Sequence, residues 1–488
     1  MENKQIRRLG VGLMLLFVLL FAQLNWLQVI DAKNLTDDPR NTRNAVRDFS
    51  QPRGEIVSAD GKVLARSDPT DDSFKRLRVY PADTAELFSH VVGYFSFTYG
   101  SEGVERTYND ELAGRTDEVT LDHLADLLLD RKHTNNVTLT IPVPVQQAAA
   151  QALGNRKGAV VALDPRDGRI LAMVDFPRFD PNGLSLHDQK QVQDNRGLLL
   201  LNPDRPLLPR AYRERFFPGS TFKVVTAATA IANGKGDTTF PQLTQLDLPQ
   251  TNNVLRNFGG ERCGGTLADA LRVSCNTSFG QLGLDLGGQT LSAGAQAFGF
   301  DSKPPLDLPA VASSAFPEPS TFERNKPALA YSAIGQFDVA ATPLQMALVA
   351  AAIANGGSIM TPHVMQEVRD DNGDVLEKYA PKEWRRAVDA AVAGQVRDMM
   401  VDVVNRGTAR SAAIPGIQVA AKTGTAQLGT TPPSSHAWMI GFAPAEAPRV
   451  AVAVLVQGQP GVSEVTGGRV AGPIVRQVLQ AALAAVPQ

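Results

Sequence analysis

The chain has 488 residues, of which 43% are hydrophobic and 20% are charged. That length fits two or three domains, and the composition suits packed cores and excludes a disordered protein. The 48 basic and 50 acidic residues nearly balance, so there is no electrostatic case for nucleic acid as a partner.

The first predicted element is a membrane anchor. A basic cluster that ends at Arg8 precedes a mostly apolar stretch, 9–30, which is long enough to span a bilayer. This predicts a cytoplasmic segment at 1–8, a single-pass transmembrane signal anchor at 9–30 and an extracytoplasmic remainder. A cleaved signal peptide is the alternative, because the strongest apolar core, 11–22, has signal-peptide length. No small-x-small cleavage site follows that core, which favours the uncleaved anchor.

Residues 31–154 predict a domain without catalytic residues. A polar linker at 31–51 leads to 53–65, where two apolar segments around an Asp-Gly turn predict a strand pair. A further strand is predicted at 136–141 and an alanine-rich helix at 145–153.

Residues 155–488 predict a larger second domain. Two apolar runs at 158–163 and 169–174 flank a Pro/Asp/Gly turn and predict a hairpin, and a long surface loop is predicted at 176–215. Helical patterns follow to about residue 355, with loops near 246–260 and 303–322. Three strands and a closing helix are predicted at 417–425, 436–442, 449–457 and 471–486. We expect these strands to join the early hairpin in one sheet.

One stretch of this domain predicts a nucleophile. Ser220 and Lys223 follow a Pro-Gly turn, and the apolar run 224–232 predicts a buried helix that begins at about Ser220. Residues three apart lie on the same helix face, so an amine is placed beside a hydroxyl. A desolvated lysine can serve as the base that a serine nucleophile needs. An isolated S-x-x-K is more often a serine near a helix start with an exposed lysine.

Two later fragments change that interpretation. Ser274-Cys275-Asn276 follows a helical pattern, and Lys422-Thr423-Gly424-Thr425 ends an apolar run. S-x-x-K, S-x-N and K-T-G in this order are typical of serine β-lactamases and penicillin-binding proteins. The Pro- and Ser-rich segment 430–435 joins the K-T-G strand to the next one, and we expect it to be a mobile loop at the rim of the site.

The remaining reactive side chains add two expectations. The two cysteines, Cys263 and Cys275, are either a disulfide, which an extracytoplasmic location permits, or thiols of which Cys275 is buried. The six histidines have no metal-ligand spacing, so no metal is predicted. No other cofactor is predicted either. We interpret His436 as a structural histidine at a strand start.

With these motifs in place, the sequence resembles class B penicillin-binding proteins over nearly its whole length, and most the short actinobacterial type. The resemblance implies a mixed α/β (α+β) protein with an N-terminal transmembrane helix and an elongated, β-rich pedestal or dimerisation-like domain at 31–154. The transpeptidase domain at 155–488 is expected to have a central antiparallel sheet flanked by helices.

The resemblance also implies the chemistry, which is cross-linking of peptidoglycan stem peptides that end in D-Ala-D-Ala and derive from lipid II. Ser220 is the expected nucleophile, Lys223 its base, Ser274 a proton relay and Asn276 a ligand of both Lys223 and the donor peptide. Lys422, Thr423 and Thr425 are expected to hold the substrate carboxylate, with Gly424 between them, and the Ser220 and Thr425 N–H groups to form an oxyanion hole. β-Lactams would acylate Ser220.

Three alternative functions are considered. A β-lactamase shares the acylation residues, but no E-x-x-L-N segment lies between Ser274 and Lys422. A non-catalytic scaffold of the division or elongation complex would not need all five of the reactive motif residues, which are Ser220, Lys223, Ser274, Asn276 and Lys422. A bifunctional enzyme would need a glycosyltransferase site, and 31–150 is too short and shows none. The resemblance therefore implies a separate polymerase partner of the RodA/FtsW type, which would contact the anchor and the pedestal.

Overall fold

The computed structural model describes residues 2–26, 49–115, 134–430, 434–458 and 466–486. The chain divides into two compact units, one of 1–52 with 68–77 and one of 53–67 with 78–488. The first unit contains helix α1 (Glu2–Asn25), in which Arg7–Asn25 is long and apolar enough to cross a membrane. Residues 27–48, which include most of the predicted linker and the end of the predicted anchor, lie outside the described residues.

Short strands and helices alternate along most of the chain. In chain order, the strands are β1 (Ile56–Val57), β2 (Val63–Pro69), β3 (Arg76–Val79), β4 (Phe95–Ser96), β5 (Gly100–Ser101), β6 (Asn136–Leu139), β7 (Gly158–Leu163), β8 (Ile170–Phe176), β9 (Thr239–Leu243), β10 (Gln245–Asp247), β11 (Val254–Arg256), β12 (Cys263–Thr266), β13 (Ser358–Met360), β14 (Met365–Arg369), β15 (Val375–Lys378), β16 (Glu383–Arg386), β17 (Ala420–Gln427), β18 (Ser435–Ala443) and β19 (Val450–Val456). The helices after α1 are α2 (Ala85–Val92), α3 (Val104–Thr107), α4 (Asn109–Leu112), α5 (Val143–Leu153), α6 (Asn182–Ser185), α7 (Gln189–Leu201), α8 (Arg210–Arg213), α9 (Lys223–Ala232), α10 (Leu267–Val273), α11 (Asn276–Ala297), α12 (Pro319–Arg324), α13 (Lys326–Ser332), α14 (Pro343–Ala354), α15 (Ala390–Arg406) and α16 (Gly467–Ala485).

The larger part of the chain is built on a five-stranded antiparallel sheet in the order β17-β18-β19-β7-β8. This confirms the expectation that the late strands join the early hairpin. Helices α5 and α16 pack together and against the sheet, and α14 also contacts β7, β18 and β19. Every residue of β19 is buried, which explains why its sequence is a continuous apolar run rather than an alternating one. Strand β17 is left at one edge.

A second sheet has the order β15-β14-β6-β1-β2-β3. Strand β6 pairs in parallel with β1 and antiparallel with β14, which comes from the far side of the helical region. The half-buried carboxylate of Asp307 fixes this junction, because it accepts hydrogen bonds from the backbone N–H groups of Val364 and Met365 and from the Tyr108 hydroxyl, at 2.7–2.9 Å. The sheet that contains the predicted strand pair at 53–65 is therefore extended, beyond β6, by two strands that lie within 155–488.

A buried ionic cluster lies beside the second sheet. Glu105 is fully buried and accepts from Arg53 Nε at 2.7 Å, from Arg78 Nε at 2.6 Å and from the Tyr80 hydroxyl at 3.1 Å. Burial alone would raise the pKa of Glu105, but the two guanidinium groups lower it below its ordinary value. The cluster keeps one carboxylate charged in the interior and ties Arg53 to the helix that contains Glu105.

Two sequence predictions were wrong. The predicted loop at 176–215 contains α6, α7 and α8, and the predicted loop near 246–260 contains the hairpin of β10 and β11. Helix α7 buries only Val192, so its sequence has no periodic apolar pattern that would predict a helix. Its N-terminus is capped by Asp188, which accepts hydrogen bonds from two backbone N–H groups. The hairpin strands are three residues each, which is too short for a pattern to mark them.

Candidate active site

Ser220 lies in a 3₁₀ turn, Gly219–Phe222, and α9 begins at Lys223 rather than at Ser220 as predicted. Side chains three residues apart eclipse one another in a 3₁₀ turn, so the two residues still share a face. Gly219 has φ of +53° and donates its N–H to the Gly335 carbonyl at 2.9 Å. A Cβ on Gly335 would come within 2.2 Å of the Gly219 carbonyl oxygen, so this contact requires glycine.

Lys223 is fully buried, and its ammonium group points to the S-x-N segment. Its Nζ donates to the Ser274 carbonyl at 2.8 Å, to Asn276 Oδ1 at 2.7 Å and to Ser274 Oγ at 3.3 Å. Burial, followed by the nearby charge of Lys422, holds the pKa of Lys223 well below its ordinary value of 10.5. Among the described residues, no hydrogen bond joins the Ser220 side chain to this network.

Lys422 completes the network from the opposite side. It lies on β17 and is fully buried, and its Nζ donates to Ser274 Oγ and to the Thr423 carbonyl, each at 2.9 Å. Burial lowers the pKa of Lys422 to about 7. The Ser274 hydroxyl therefore lies between two amines, each with a strongly reduced affinity for its proton.

The local backbone places the S-x-N segment with little freedom. Helix α10 ends at Val273, its C-cap Ser274 has left-handed φ and ψ of 62° and 43°, and α11 begins at Asn276. Between them, Cys275 forms a disulfide with Cys263, with the two Cα atoms 5.8 Å apart. Of the two states considered from the sequence, the structure therefore has the disulfide.

The K-T-G residues pack closely against the nucleophile turn, Gly219–Phe222, at positions occupied by glycine. A Cβ on Gly424 would lie 2.9 Å from the Pro218 carbonyl oxygen, and one on Gly219 would lie 2.9 Å from that of Thr425. The hydroxyl groups of Thr423 and Thr408 are 2.6 Å apart. Sequence reasoning missed Thr408, because its relation to Thr423 arises only when α15 and the turn after it pack against β17.

Aromatic residues support the other side of the turn. Trp438 is fully buried on β18, and its indole N–H donates to the Phe217 carbonyl at 3.0 Å. His436 accepts from the Gly458 N–H through Nδ1, and burial lowers its pKa to about 4, so the ring is neutral. That arrangement agrees with a structural histidine. Of the loop predicted at 430–435, residues 431–433 lie outside the described residues.

The arrangement joins Lys223, Ser274, Asn276 and Lys422 in one hydrogen-bonded network and places Ser220 one turn before Lys223. Chemically, it offers a hydroxyl nucleophile, a desolvated amine as its base and a hydroxyl that can pass a proton between two amines. No group of three or more metal-ligating side chains occurs within the described residues.

Comparisons with known proteins agree with this chemistry. The family model of the penicillin-binding protein transpeptidase domain matches residues 158–480, and that of the penicillin-binding protein A dimerisation domain matches 53–137. Peptidoglycan D,D-transpeptidase PbpA of Mycolicibacterium smegmatis is 42% identical over 99% of each chain, and PbpA of Mycobacterium tuberculosis is 41% identical over 99% of this chain and 100% of its own. The structure of M. tuberculosis penicillin-binding protein A as a ceftriaxone acyl-enzyme complex superposes with a TM-score of 0.82 at 40% identity, covering 90% of this chain and 100% of that one.

Proposed function

The chain belongs to the penicillin-binding protein transpeptidases, and on that basis we propose that it cross-links peptidoglycan stem peptides through an acyl-enzyme on Ser220. The observation that carries the proposal is the network in which Lys223 and Lys422 both donate hydrogen bonds to the Ser274 hydroxyl. Lys223 is the first residue after the turn that contains Ser220. β-Lactams imitate the same donor and acylate the same serine.

The proposed reaction has two acyl-transfer steps. Neutral Lys223 takes the proton of Ser220 while Oγ attacks the penultimate D-Ala carbonyl, and the peptide bond to the terminal D-Ala breaks. The proton returns to the leaving amine through the Ser274 hydroxyl. An amine of a second stem peptide then attacks the acyl-enzyme, forms the cross-link and releases Ser220 with its proton restored.

The other motif residues have assigned roles in the proposal. Asn276 holds Lys223 through Oδ1 and faces the donor peptide, while Lys422 and Thr423, the latter hydrogen-bonded to Thr408, bind the terminal carboxylate. The backbone N–H groups of Ser220 and Thr425 stabilise the oxyanion, with the close approach at Gly424 setting the distance between the two segments.

For location and partners, we propose a single-pass membrane protein with its catalytic domain outside the cell. Helix α1 supports this, because its Arg7–Asn25 segment is apolar and its side chains are exposed.

We place the non-catalytic pedestal domain at 31–154 and the transpeptidase domain at 155–488, a division that falls between the two matched family models. A glycan polymerase of the RodA/FtsW type is the proposed partner.

Intact-mass analysis of the full chain in detergent with penicillin G tests the proposal. We expect a persistent adduct of one penicillin in the wild type and none in Ser220→Ala, with both proteins folded by circular dichroism. Rapid consumption of the drug without an adduct would indicate a β-lactamase. The absence of both adduct and drug consumption would support the scaffold alternative instead.

A further inference from the structure

Phe258 is an exposed aromatic side chain beside the active site. Its exposed fraction is 43%, and no other Phe, Trp or Tyr is exposed among the described residues from 49 onwards. A single exposed apolar side chain has no meaning by itself. Phe258 is significant because of its position on the segment 256–263, which we call the arch.

The arch is attached at three points to residues 275–277, which overlap the S-x-N segment. The Arg256 carbonyl accepts from Asn276 Nδ2 at 3.0 Å, and Asn257 Oδ1 accepts from the Thr277 N–H at 2.9 Å. The disulfide joins the far end of the arch, Cys263, to Cys275. Two of these three attachments are made to residues of the S-x-N segment itself.

The arch is also braced internally, so the ring has a defined backbone position. Asn257 is 6% exposed, and its Nδ2 donates to the carbonyls of Leu243 and Glu261, at 2.8 and 2.9 Å. Gly259 and Gly260, with φ of 65° and 69°, reverse the chain immediately after Phe258. A ring held on such a segment loses little freedom when it contacts a ligand, which increases its contribution to binding.

Asn276 indicates which part of the substrate the ring meets. One end of its amide, Oδ1, binds Lys223, and the other, Nδ2, binds the arch. In the proposed function, on which this inference rests, Asn276 faces the donor peptide on the acyl side of the scissile bond. Phe258 comes two residues after Arg256, on the segment that binds the end of the Asn276 amide that Lys223 does not bind, which is the side on which that peptide continues away from Ser220.

We propose that Phe258 is a specificity-determining residue for the acyl side of the substrate. Its ring packs against the side chain of the stem residue that precedes D-Ala-D-Ala. In a penicillin, it packs against the acyl group on the amine next to the lactam ring. The contact is apolar, and it does not take part in bond formation, so Phe258 changes which donors are acylated rather than the chemistry of acylation.

The test compares two lactams that differ only in that acyl group. Penicillin G has a phenylacetyl group, whereas 6-aminopenicillanic acid has a free amine. We expect Phe258→Ala to lower the second-order rate constant for acylation by penicillin G about fivefold to tenfold and to leave that for 6-aminopenicillanic acid unchanged. Phe258→Trp should retain the preference. Leu201→Ala, at an 82% exposed leucine on α7, is the matched control and should change neither rate constant.

Equal losses with both lactams would mean that Phe258 only supports the fold, and unchanged rate constants would mean that the ring contacts no donor; either result overturns the inference. Both results leave the proposed function intact, because the wild type would still be acylated. A wild type that neither lactam acylates would overturn the proposed function and this inference with it.

Discussion

The Ser274 hydroxyl lies between two buried lysines, and this arrangement sets the pH range in which the enzyme is active. Lys223 Nζ lies 3.3 Å and Lys422 Nζ 2.9 Å from the same oxygen. Two ammonium groups this close together and out of water disfavour each other's charge, in addition to the penalty of burial. The pair therefore gives up a proton at a much lower pH than free lysine, so the neutral base becomes available at a lower pH.

The rate of acylation should depend on pH accordingly. Because Lys223 must be neutral, the rate constant for acylation by penicillin should rise with pH and level off far below 10.5. Lys422→Gln removes a positive neighbour, so the pKa of Lys223 rises and the acid limb should move to higher pH. Stopped-flow acylation with a fluorescent penicillin measures both profiles. An acid limb that stays in place, or moves down, would contradict the coupling.

Asp175 is a second buried group with a displaced pKa, outside the active site. Its Oδ1 accepts from the Ala211 N–H at 2.7 Å, and its Oδ2 lies 3.7 Å from Nδ1 of His90. His90 Nε2 donates to the Pro206 carbonyl at 2.7 Å, so Nδ1 of the neutral ring carries a lone pair. Burial raises the pKa of Asp175 to about 7 and lowers that of His90 to about 4.

Asp175→Asn should reveal this linkage in the stability of the fold. A carboxyl group whose pKa is raised on folding contributes stability that is complete below about pH 4 and is lost as the pH rises through about 7. Asparagine imitates the neutral acid, so its advantage over the wild type in the free energy of unfolding should grow from pH 5 to pH 8, towards a few kcal/mol, and its advantage in Tm should grow with it. Thermal unfolding at both pH values gives the difference. Parallel pH dependences of the two proteins would show that Asp175 is charged throughout.

At the scale of elements, the contact between β17 and the nucleophile turn leaves no room for a side chain. A Cβ on Gly424 would lie 2.9 Å from the Pro218 carbonyl oxygen, from the Thr221 methyl group and from Trp438 Cβ. Gly424→Ala should push β17 away from the turn and lower the acylation rate constant at least tenfold, since sub-ångström misplacement of oxyanion donors is costly. Gly394→Ala on α15, with open space around it, should raise the stability by about 1 kcal/mol and leave acylation unchanged. Equal acylation by both variants would contradict the tight contact.

The sequence predicted those parts of the site that are local in the chain. Ser220 and Lys223 are three residues apart, and Ser274 and Asn276 two, so their relation follows from a single turn. Thr408 and the arch could not be found in this way, because their contacts depend on packing between distant segments. Helix α7 escaped prediction for another reason, since it buries almost no apolar surface and therefore leaves no periodic pattern.

At the scale of the whole molecule, the sheet that contains β1 also contains β14, so segments from both predicted domains are folded together. Residues 53–67 and 78–488 belong to one compact unit. We therefore expect this unit to unfold in one thermal transition that coincides when it is followed by different probes.

Asp307→Ala tests this connection. The substitution removes the acceptor of two backbone N–H groups and of the Tyr108 hydroxyl, so it should lower the stability by several kcal/mol. Penicillin binding should be lost at the same temperature as the secondary structure, because the whole unit unfolds together. Asp398→Ala, at an exposed carboxylate paired with Arg397, should change the stability by less than about 1 kcal/mol. Two separated transitions in either variant would show that the domains fold independently.

Strand β17 ends the five-stranded sheet, so one of its sides has no neighbouring strand among the residues that the structure describes. Edge strands are sites of unwanted association, since their free N–H and C=O groups can pair with any extended chain, and proteins usually hide them. In this protein the nucleophile turn and α15 both contact β17, and its residues from Ala420 to Gly424 are buried. The elements that bring Ser220 to the K-T-G residues thus also pack against the strand that a second chain could otherwise pair with, so the active site and the protection of the edge depend on the same packing.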